Sequence, residues 1–399
     1  MNAEVVDPNA KKQLSASEVP HATKSPGAVG VGIIGTGVIS VQYLTNLVQF
    51  ADVDVRFLAD REPERAREKA EMFGLRDAEG EVLAGTVDEL LAREDIEIVI
   101  NLTTPDSHVE IGLQALEAGK HVWIEKPVAM DADGAQQLLR TAEEKGLRVA
   151  CAPDTMLGGG IETALRAIAD GRIGDVLTAR TVFQTPGPES WHPSPEFLFA
   201  QGAGPLFDMG PYYTTTLVRA LGPVARVAAV SSTAFPTRTI GSGPKAGTEF
   251  PVEVPTLHAA ILQFASGAVA QMLFSFESAR EEVGFVEISG TAGSLLLPDP
   301  NMFEGDTRLY SLDPEKGGEP ETLTAVGSFF ERGTGVVDLA RSIRAGQPEQ
   351  ASGALAAHVL DVLLAIRDAA AGGEFVDVSS RPEIPAPLGE DFDPSAPTL

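Results

Sequence analysis

At 399 residues with 43% apolar side chains, the chain can bury a sizeable core but is too long for one simple core, so two domains are expected. A formal net charge of −27 argues against nucleic acid and anionic membranes as partners, because both select basic faces, yet backbone N–H groups can still bind phosphate locally. One cysteine, Cys151, excludes an intramolecular disulfide and a cysteine-built metal site, and the six histidines show no pair at metal-ligand spacing.

Residues 1–28 are polar and lack the apolar stretch of a signal peptide, so a disordered tail is expected there. No apolar run reaches bilayer length, and a cytoplasmic enzyme is the default expectation. From residue 29 strands and helices alternate. VGVGIIGTG (29–37) is a buried strand ending in glycines, followed by a helix over 38–50. VDVRFLAD (53–60) is a second strand, and 61–74 a helix stopped by Gly74. Thr86 is an N-cap for 86–95, IEIVINLT (96–103) a strand, and 107–119 a helix closed by glycine. A strand over 120–126, a helix over 131–146 and a strand over 147–152 complete the run. Such alternation predicts an α/β fold with a doubly wound parallel sheet, whose ligands sit beyond the carboxyl ends of the strands.

Gly35-Thr36-Gly37-Val38-Ile39-Ser40 lies at the first strand–helix turn and is a GxGxxG variant with serine third. Gly35 permits the sharp turn, Gly37 lets the backbone approach a pyrophosphate at the helix N-terminus, and Ser40 is small enough for close helix–strand packing. Asp60 ends the second strand, where it can hold both hydroxyls of an adenosine ribose and would repel a 2′-phosphate. That favours NAD; neighbouring Arg61 can stack on adenine or accept NADP, which stays open.

The run TTPDSHVEIGLQALEAGKHVWIEKPVAM (103–130), with GIIGTGVIS and a later glycine-rich helix start, resembles the Gfo/Idh/MocA family over nearly all of 29–378. The resemblance implies a Rossmann domain (29–152) and a C-terminal α/β domain (153–378) built on a large, mostly antiparallel open sheet. It also implies a cofactor between them and a homo-oligomer, dimer or tetramer, formed through that sheet. Thr103, Thr104 and Pro105 would line the nicotinamide-ribose side, with His108 facing the same cleft. Glu125 would contact that ribose, and Lys126 would point at the reacting carbon–oxygen bond.

After residue 152 the chain departs from the family pattern at Pro153-Asp154-Thr155, and Asp154 becomes a candidate substrate contact. The proline-held loop 188–199 presents Trp191 to pack on a sugar face and His192 to bond a hydroxyl, with local packing as the alternative. In GAGPLFDMGPYYTTTLVRALG (202–222) the family carries an aspartate and, four residues on, a histidine; here they are Asp208 and Tyr212. Spacing of four places both on one helix face. Tyrosine in that position resembles the glucose-fructose oxidoreductase branch, and Lys126 with Tyr212 is the implied acid/base pair, with Asp208 holding a substrate hydroxyl or tuning them. Tyr213 is expected to pack. Hairpin strands over 256–278 and 285–303, two helices over 335–373 returning to the first domain, and a peripheral acidic tail (379–399) complete the chain.

The expectation is an NAD(P)-dependent oxidoreductase of a secondary alcohol or ketone in a sugar, cyclitol or related polyhydroxy compound, without metal. Two alternatives stand beside it: a glycosidase using tightly held NAD for redox-assisted elimination, and a non-catalytic dinucleotide or sugar sensor.

Overall fold

The computed structural model describes residues 16–316 and 318–399. Residues 1–15 of the expected tail lie outside the described residues. The first layer is a six-stranded sheet of β1 (Val29–Ile34), β2 (Val53–Ala59), β3 (Ala84–Gly85), β4 (Ile98–Asn101), β5 (His121–Ile124) and β6 (Val149–Cys151). Its spatial order is β3-β2-β1-β4-β5-β6, with every pairing parallel. β1, β4 and β6 are buried along their whole length, which is why they read as continuous apolar runs rather than alternating ones. The intervening helices are α1 (Val38–Leu47), α2 (Pro63–Met72), α3 (Val87–Leu91), α4 (His108–Glu117) and α5 (Ala132–Lys145). At α3 a capping box forms: Thr86 Oγ1 accepts from the Glu89 N–H at 3.2 Å, and a Glu89 carboxylate oxygen accepts from the Thr86 N–H at 2.7 Å. The two-residue β3 had no sequence signal.

Because the chain starts in the middle of the sheet, strand order reverses between β1 and β4, opening a crevice at the carboxyl ends. Gly35, Asp60, Thr103, Glu125 and Lys126 all lie within two residues of those ends.

The second layer is a nine-stranded sheet. Its strands are β7 (Val176–Gln184), β8 (Val224–Ser232), β11 (Leu257–Phe264), β12 (Val269–Ser275), β13 (Glu282–Gly290), β14 (Gly293–Leu297), β15 (Thr307–Ser311), β16 (Glu321–Leu323) and β17 (Val376–Asp377), while β9 (Thr237–Thr239) and β10 (Glu249–Pro251) form a separate ribbon. The order β16-β15-β14-β13-β7-β12-β11-β8-β17 is antiparallel except where β7 meets β12. One face is covered by α6 (Gly159–Ala169), α7 (Gly204–Leu221) and α9 (Gly353–Gly372). On β11 the buried residues His258, Ala260, Leu262 and Phe264 alternate with more exposed ones, as a one-sided sheet requires. Phe183, Tyr213 and Phe274 interlock edge to face beneath α7, with centroids 5.4 Å apart for Tyr213–Phe274.

α8 (Thr334–Ala345) and α9 bring the chain back to the first sheet: α9 packs on α5, α7, β6 and β8, and the Cys151 N–H donates to Ala351 O at 2.9 Å. Residues 16–28 correct the expectation of disorder. Val19 is buried, and Lys24 Nζ donates to Phe50 O at 2.9 Å and to Val48 O at 3.2 Å, supplying a cation at the end of α1. The 379–399 segment is irregular but fastened. Leu388 N–H donates to Glu162 at 2.8 Å, and the Thr398 N–H donates to the fully buried Asp52 at 2.9 Å, which also accepts from Ser25 and Arg341. Among the described residues no helix is long and apolar enough to cross a membrane.

Candidate active site

At the β1–α1 turn Gly35 has φ +96°, and a Cβ there would lie 2.7 Å from the Leu102 carbonyl carbon, so only glycine lets the turn press against the end of β4. Gly37 caps α1 without a side-chain hydrogen bond, and a Cβ on it would meet nothing within 4 Å. Val38 beside it is 90% exposed, whereas Ile39 is half buried against the core. This is an open helix N-terminus with unclaimed N–H groups, and it fits a dinucleotide pyrophosphate.

Asp60 holds the turn in shape. One of its oxygens accepts from both the Thr36 N–H (2.8 Å) and the Thr36 hydroxyl (2.9 Å), and the other accepts from the Glu62 N–H at 3.1 Å. Burial pushes its carboxyl up, but these bonds prevail and keep it ionised below the usual range. Arg61 next to it is exposed.

Across the crevice, the Thr103 hydroxyl donates to Asn101 at 2.7 Å, while Thr104 and Pro105 stand exposed at the rim. His108 corrects the expectation that it faces the cleft. It is 1% exposed, with Nδ1 2.7 Å from Pro127 O and Nε2 3.1 Å from Thr103 O. It ties the loop after β4 to the loop after β5, and burial lowers its pKa.

Glu125 and Lys126 leave β5 in different directions. Glu125 accepts from the Tyr43 hydroxyl at 2.8 Å and from the Lys126 N–H at 3.0 Å, and Trp123 Nε1 donates to the same Tyr43 oxygen at 3.0 Å. Lys126 Nζ crosses to α7, donating to Asp208 O at 2.9 Å and to an Asp208 carboxylate oxygen at 3.0 Å. Burial works against its charge, but Asp208, Tyr212 and Glu125 outweigh it and hold the ammonium above the usual lysine range. Asp208 and Tyr212 share a face of α7, and Lys126 Nζ lies 5.3 Å from the Tyr212 ring centroid. The ammonium therefore meets the ring rather than the phenol oxygen.

That oxygen has another partner. Arg332, in the loop ahead of α8, donates from Nη2 to Tyr212 Oη at 3.0 Å. Asp154 sits behind it and is fully buried, which corrects the expectation that it touches substrate. Its Oδ2 accepts from Gly333 N–H at 2.7 Å and Gly335 N–H at 3.3 Å, and its Oδ1 lies 3.6 Å from Arg332 Nη1. Burial pushes the Asp154 carboxyl up to about 6, against the pull of Arg332. The sequence reading missed Arg332. The one local signal was the Gly333 and Gly335 pair at the start of α8, where a Cβ on Gly335 would lie 2.1 Å from the Trp123 ring.

Trp191 and His192 are not brought to this cluster. Trp191 is 65% exposed and its ring lies 5.5 Å from that of His192, which lies 5.4 Å from Phe197. His192 Nδ1 accepts from the Ser194 N–H at 3.0 Å, while the Ser242 hydroxyl donates to Trp191 O and Arg238 and Lys245 donate to Glu189 and Glu196, so the loop is fastened to the segment around β9 and β10. Cys151 is buried, and burial pushes its thiol well above the ordinary range. No group of three or more potential metal ligands exists among the described residues.

The model of the oxidoreductase family with an NAD-binding Rossmann fold matches residues 29–152, and that of the GFO/IDH/MocA C-terminal domain matches 161–296. The chain belongs to the Gfo/Idh/MocA family. It is accordingly an NAD-binding oxidoreductase. Among Gfo/Idh/MocA-like relatives, the 1,5-anhydro-D-fructose reductase of Ensifer adhaerens is 29% identical over 272 residues, which are 66% of this chain and 74% of that protein. The uncharacterized oxidoreductase ORF334 of Rhizobium meliloti is 30% identical over 277 residues, 68% of this chain and 75% of that protein. In fold, a levoglucosan dehydrogenase in complex with NADH and L-sorbose superposes with a TM-score of 0.75 at 23% identity, covering 88% of this chain and 99% of that one.

Proposed function

We propose that this oxidoreductase interconverts a secondary alcohol and a ketone in a sugar, cyclitol or related polyhydroxy compound, with Lys126 and Tyr212 handling the charge and the proton at the substrate oxygen. The observation that carries this reading is the bond from Lys126 Nζ at the end of β5 to Asp208 on α7, which sets a cation and a phenol side by side at the mouth of the dinucleotide crevice.

NAD, when bound, supplies the hydride acceptor. The turn at Gly35–Val38 would receive its pyrophosphate, and the ionised Asp60 would hold the adenosine ribose, disfavouring the 2′-phosphate of NADP. Thr103, Thr104 and Pro105 form the opposite wall, and Glu125 is held by Tyr43 beside it. Lys126 has three N–H bonds, two of which go to Asp208. The third is free to donate to the substrate oxygen and to stabilise alkoxide character there. Tyr212 Oη receives its bond from Arg332, so its own proton is available for exchange with that oxygen.

The relatives support the substrate class: one is named for an anhydro-sugar, and another is a sugar-bound dehydrogenase in complex with NADH. The test is a screen of sugars, anhydrosugars and cyclitols with NAD and with NADP, following reduced-nicotinamide absorbance. Stoichiometric NADH formation with a polyhydroxy alcohol is expected. Substrate cleavage without NADH would instead select the elimination reading, and tight sugar binding without turnover would select a sensor.

We also infer a homo-oligomer through the nine-stranded sheet. Val230, Ala259, Leu273, Val182 and Phe285 are cross-strand neighbours in one apolar row on the face away from the helices, and Val230 is 65% exposed. Val230→Glu with Leu273→Glu should reduce the mass measured by light scattering to that of one chain. A cytoplasmic setting is our reading too, supported by the single, buried and free Cys151.

A further inference from the structure

We propose that Arg332 is the positioning residue of Tyr212: its guanidinium orients the phenol and takes up the charge left on Tyr212 Oη when the proton passes to the substrate oxygen. The inference rests on the reading of Lys126 and Tyr212 as the reacting pair.

The geometry divides two cations between two jobs. Lys126 approaches the face of the Tyr212 ring and spends two N–H bonds on Asp208, so it makes no bond to Oη. Arg332 Nη2 is 3.0 Å from Oη, with Cζ 5.7 Å from the ring centroid. A hydrogen bond received at Oη leaves the phenol proton directed elsewhere. During ketone reduction the Tyr212 O–H bond breaks, its electron pair stays on Oη, and the substrate oxygen gains the proton. The Arg332 bond then becomes charge-assisted. In alcohol oxidation each movement reverses.

The surroundings hold Arg332 firmly. Its side chain is 12% exposed, and its carbonyl accepts from Asn46 Nδ2 at 3.0 Å, anchoring the loop to α1. Asp154 directs a buried carboxylate at it, yet Nη1 and Oδ1 remain 3.6 Å apart, and neither has a hydrogen-bond partner in the described structure. A neutral donor would tie Tyr212 in place without desolvating a guanidinium. The guanidinium also faces the buried carboxylates of Asp154 and Glu125, and its bond to Oη gains most when that oxygen becomes an anion. The titratable groups packed around Tyr212 are Lys126 and Glu125 after β5, Asp208 on α7, Tyr43 on α1, and Asp154 with Arg332.

The chain has only four tyrosines, Tyr43, Tyr212, Tyr213 and Tyr310, so phenolate absorbance can be followed in the protein without substrate. Each of wild type, Tyr212→Phe, Arg332→Met and Arg332→Lys is titrated toward alkali, with circular dichroism confirming the fold at each step. The step absent in Tyr212→Phe should move up by about one pH unit or more in Arg332→Met and return most of the way in Arg332→Lys. The pH profile of turnover on the best sugar from the screen should move with it. An identical Tyr212 step in wild type and Arg332→Met, or no such step before alkaline unfolding, overturns the proposal. If Arg332→Met does not fold, Arg332→Gln takes its place: it loses the charge, so the step should still move up relative to wild type and Arg332→Lys, and an unmoved step overturns the proposal. Wild-type turnover in Tyr212→Phe would sink the reading of the site itself while leaving the Arg332 coupling standing.

Discussion

The glycine turn at one end of the crevice and the Lys126–Tyr212–Arg332 cluster at the other are both anchored by carboxylates, a half-buried Asp60 and a fully buried Asp154, but they are built in opposite ways. Asp60 clasps Thr36 within a single strand–helix–strand stretch, so the turn is made by neighbours in the chain. Asp154 clasps Gly333 and Gly335, and through that loop the chain presents Arg332 to a tyrosine on α7, opposite a lysine after β5. The first arrangement depends on local backbone geometry. The second depends on how two sheets and three helices pack, and a displacement of α7 would break both the Lys126–Asp208 and the Arg332–Tyr212 bonds.

The largest effect should separate the two ends. Lys126→Ala is expected to reduce turnover roughly 10³-fold while fluorescence titration shows NAD affinity nearly unchanged. Loss of both together would mean the ends are not independent. Gly35→Ala should act the other way, weakening NAD binding and destabilising the fold by roughly 3 kcal/mol in urea, because the added Cβ meets Leu102 and φ is +96°.

Asp52, at the opposite end of the first sheet from the crevice, sharpens the contrast. Burial pushes its carboxyl up, but bonds from Thr398, Ser25 and Arg341 prevail and bring it down to about 2 from the ordinary 3.8. Its contribution is therefore complete above the unfolded value and is lost as pH falls through the folded one. Asp52→Asn should lower stability by about 2 kcal/mol at neutral pH, with the difference from wild type closing toward pH 2 and turnover unaltered. Smallest of all, Trp191→Ala should change KM by less than about twofold, since Trp191 is exposed and its loop is fastened to the segment around β9 and β10 rather than to the cluster. A larger loss would bring Trp191 back to the substrate.

Much of the first sheet was readable because parallel strands buried on both faces announce themselves as apolar runs, and glycines mark the turns between them. His108 and Asp154 were misplaced for a shared reason. Each stands in a motif-rich segment, and a motif assigns a polar side chain to a neighbourhood without saying which way it points. Both proved to be backbone clamps, His108 on Thr103 and Pro127, Asp154 on Gly333 and Gly335. Arg332 carried no pattern of its own, being one arginine in a loop.

By itself, then, the sequence determined the alternation of strands and helices in the first domain, the glycine turn with Asp60, the lysine after β5 and the tyrosine four residues beyond Asp208, because these follow from periodicity and short-range spacing. Only tertiary structure decided that Lys126 bonds Asp208 and faces the ring of Tyr212, and that Arg332 takes the phenol oxygen. Those contacts join residues far apart in the chain, and side-chain direction across a packed interface is set by the packing of whole elements rather than by any local run of residues.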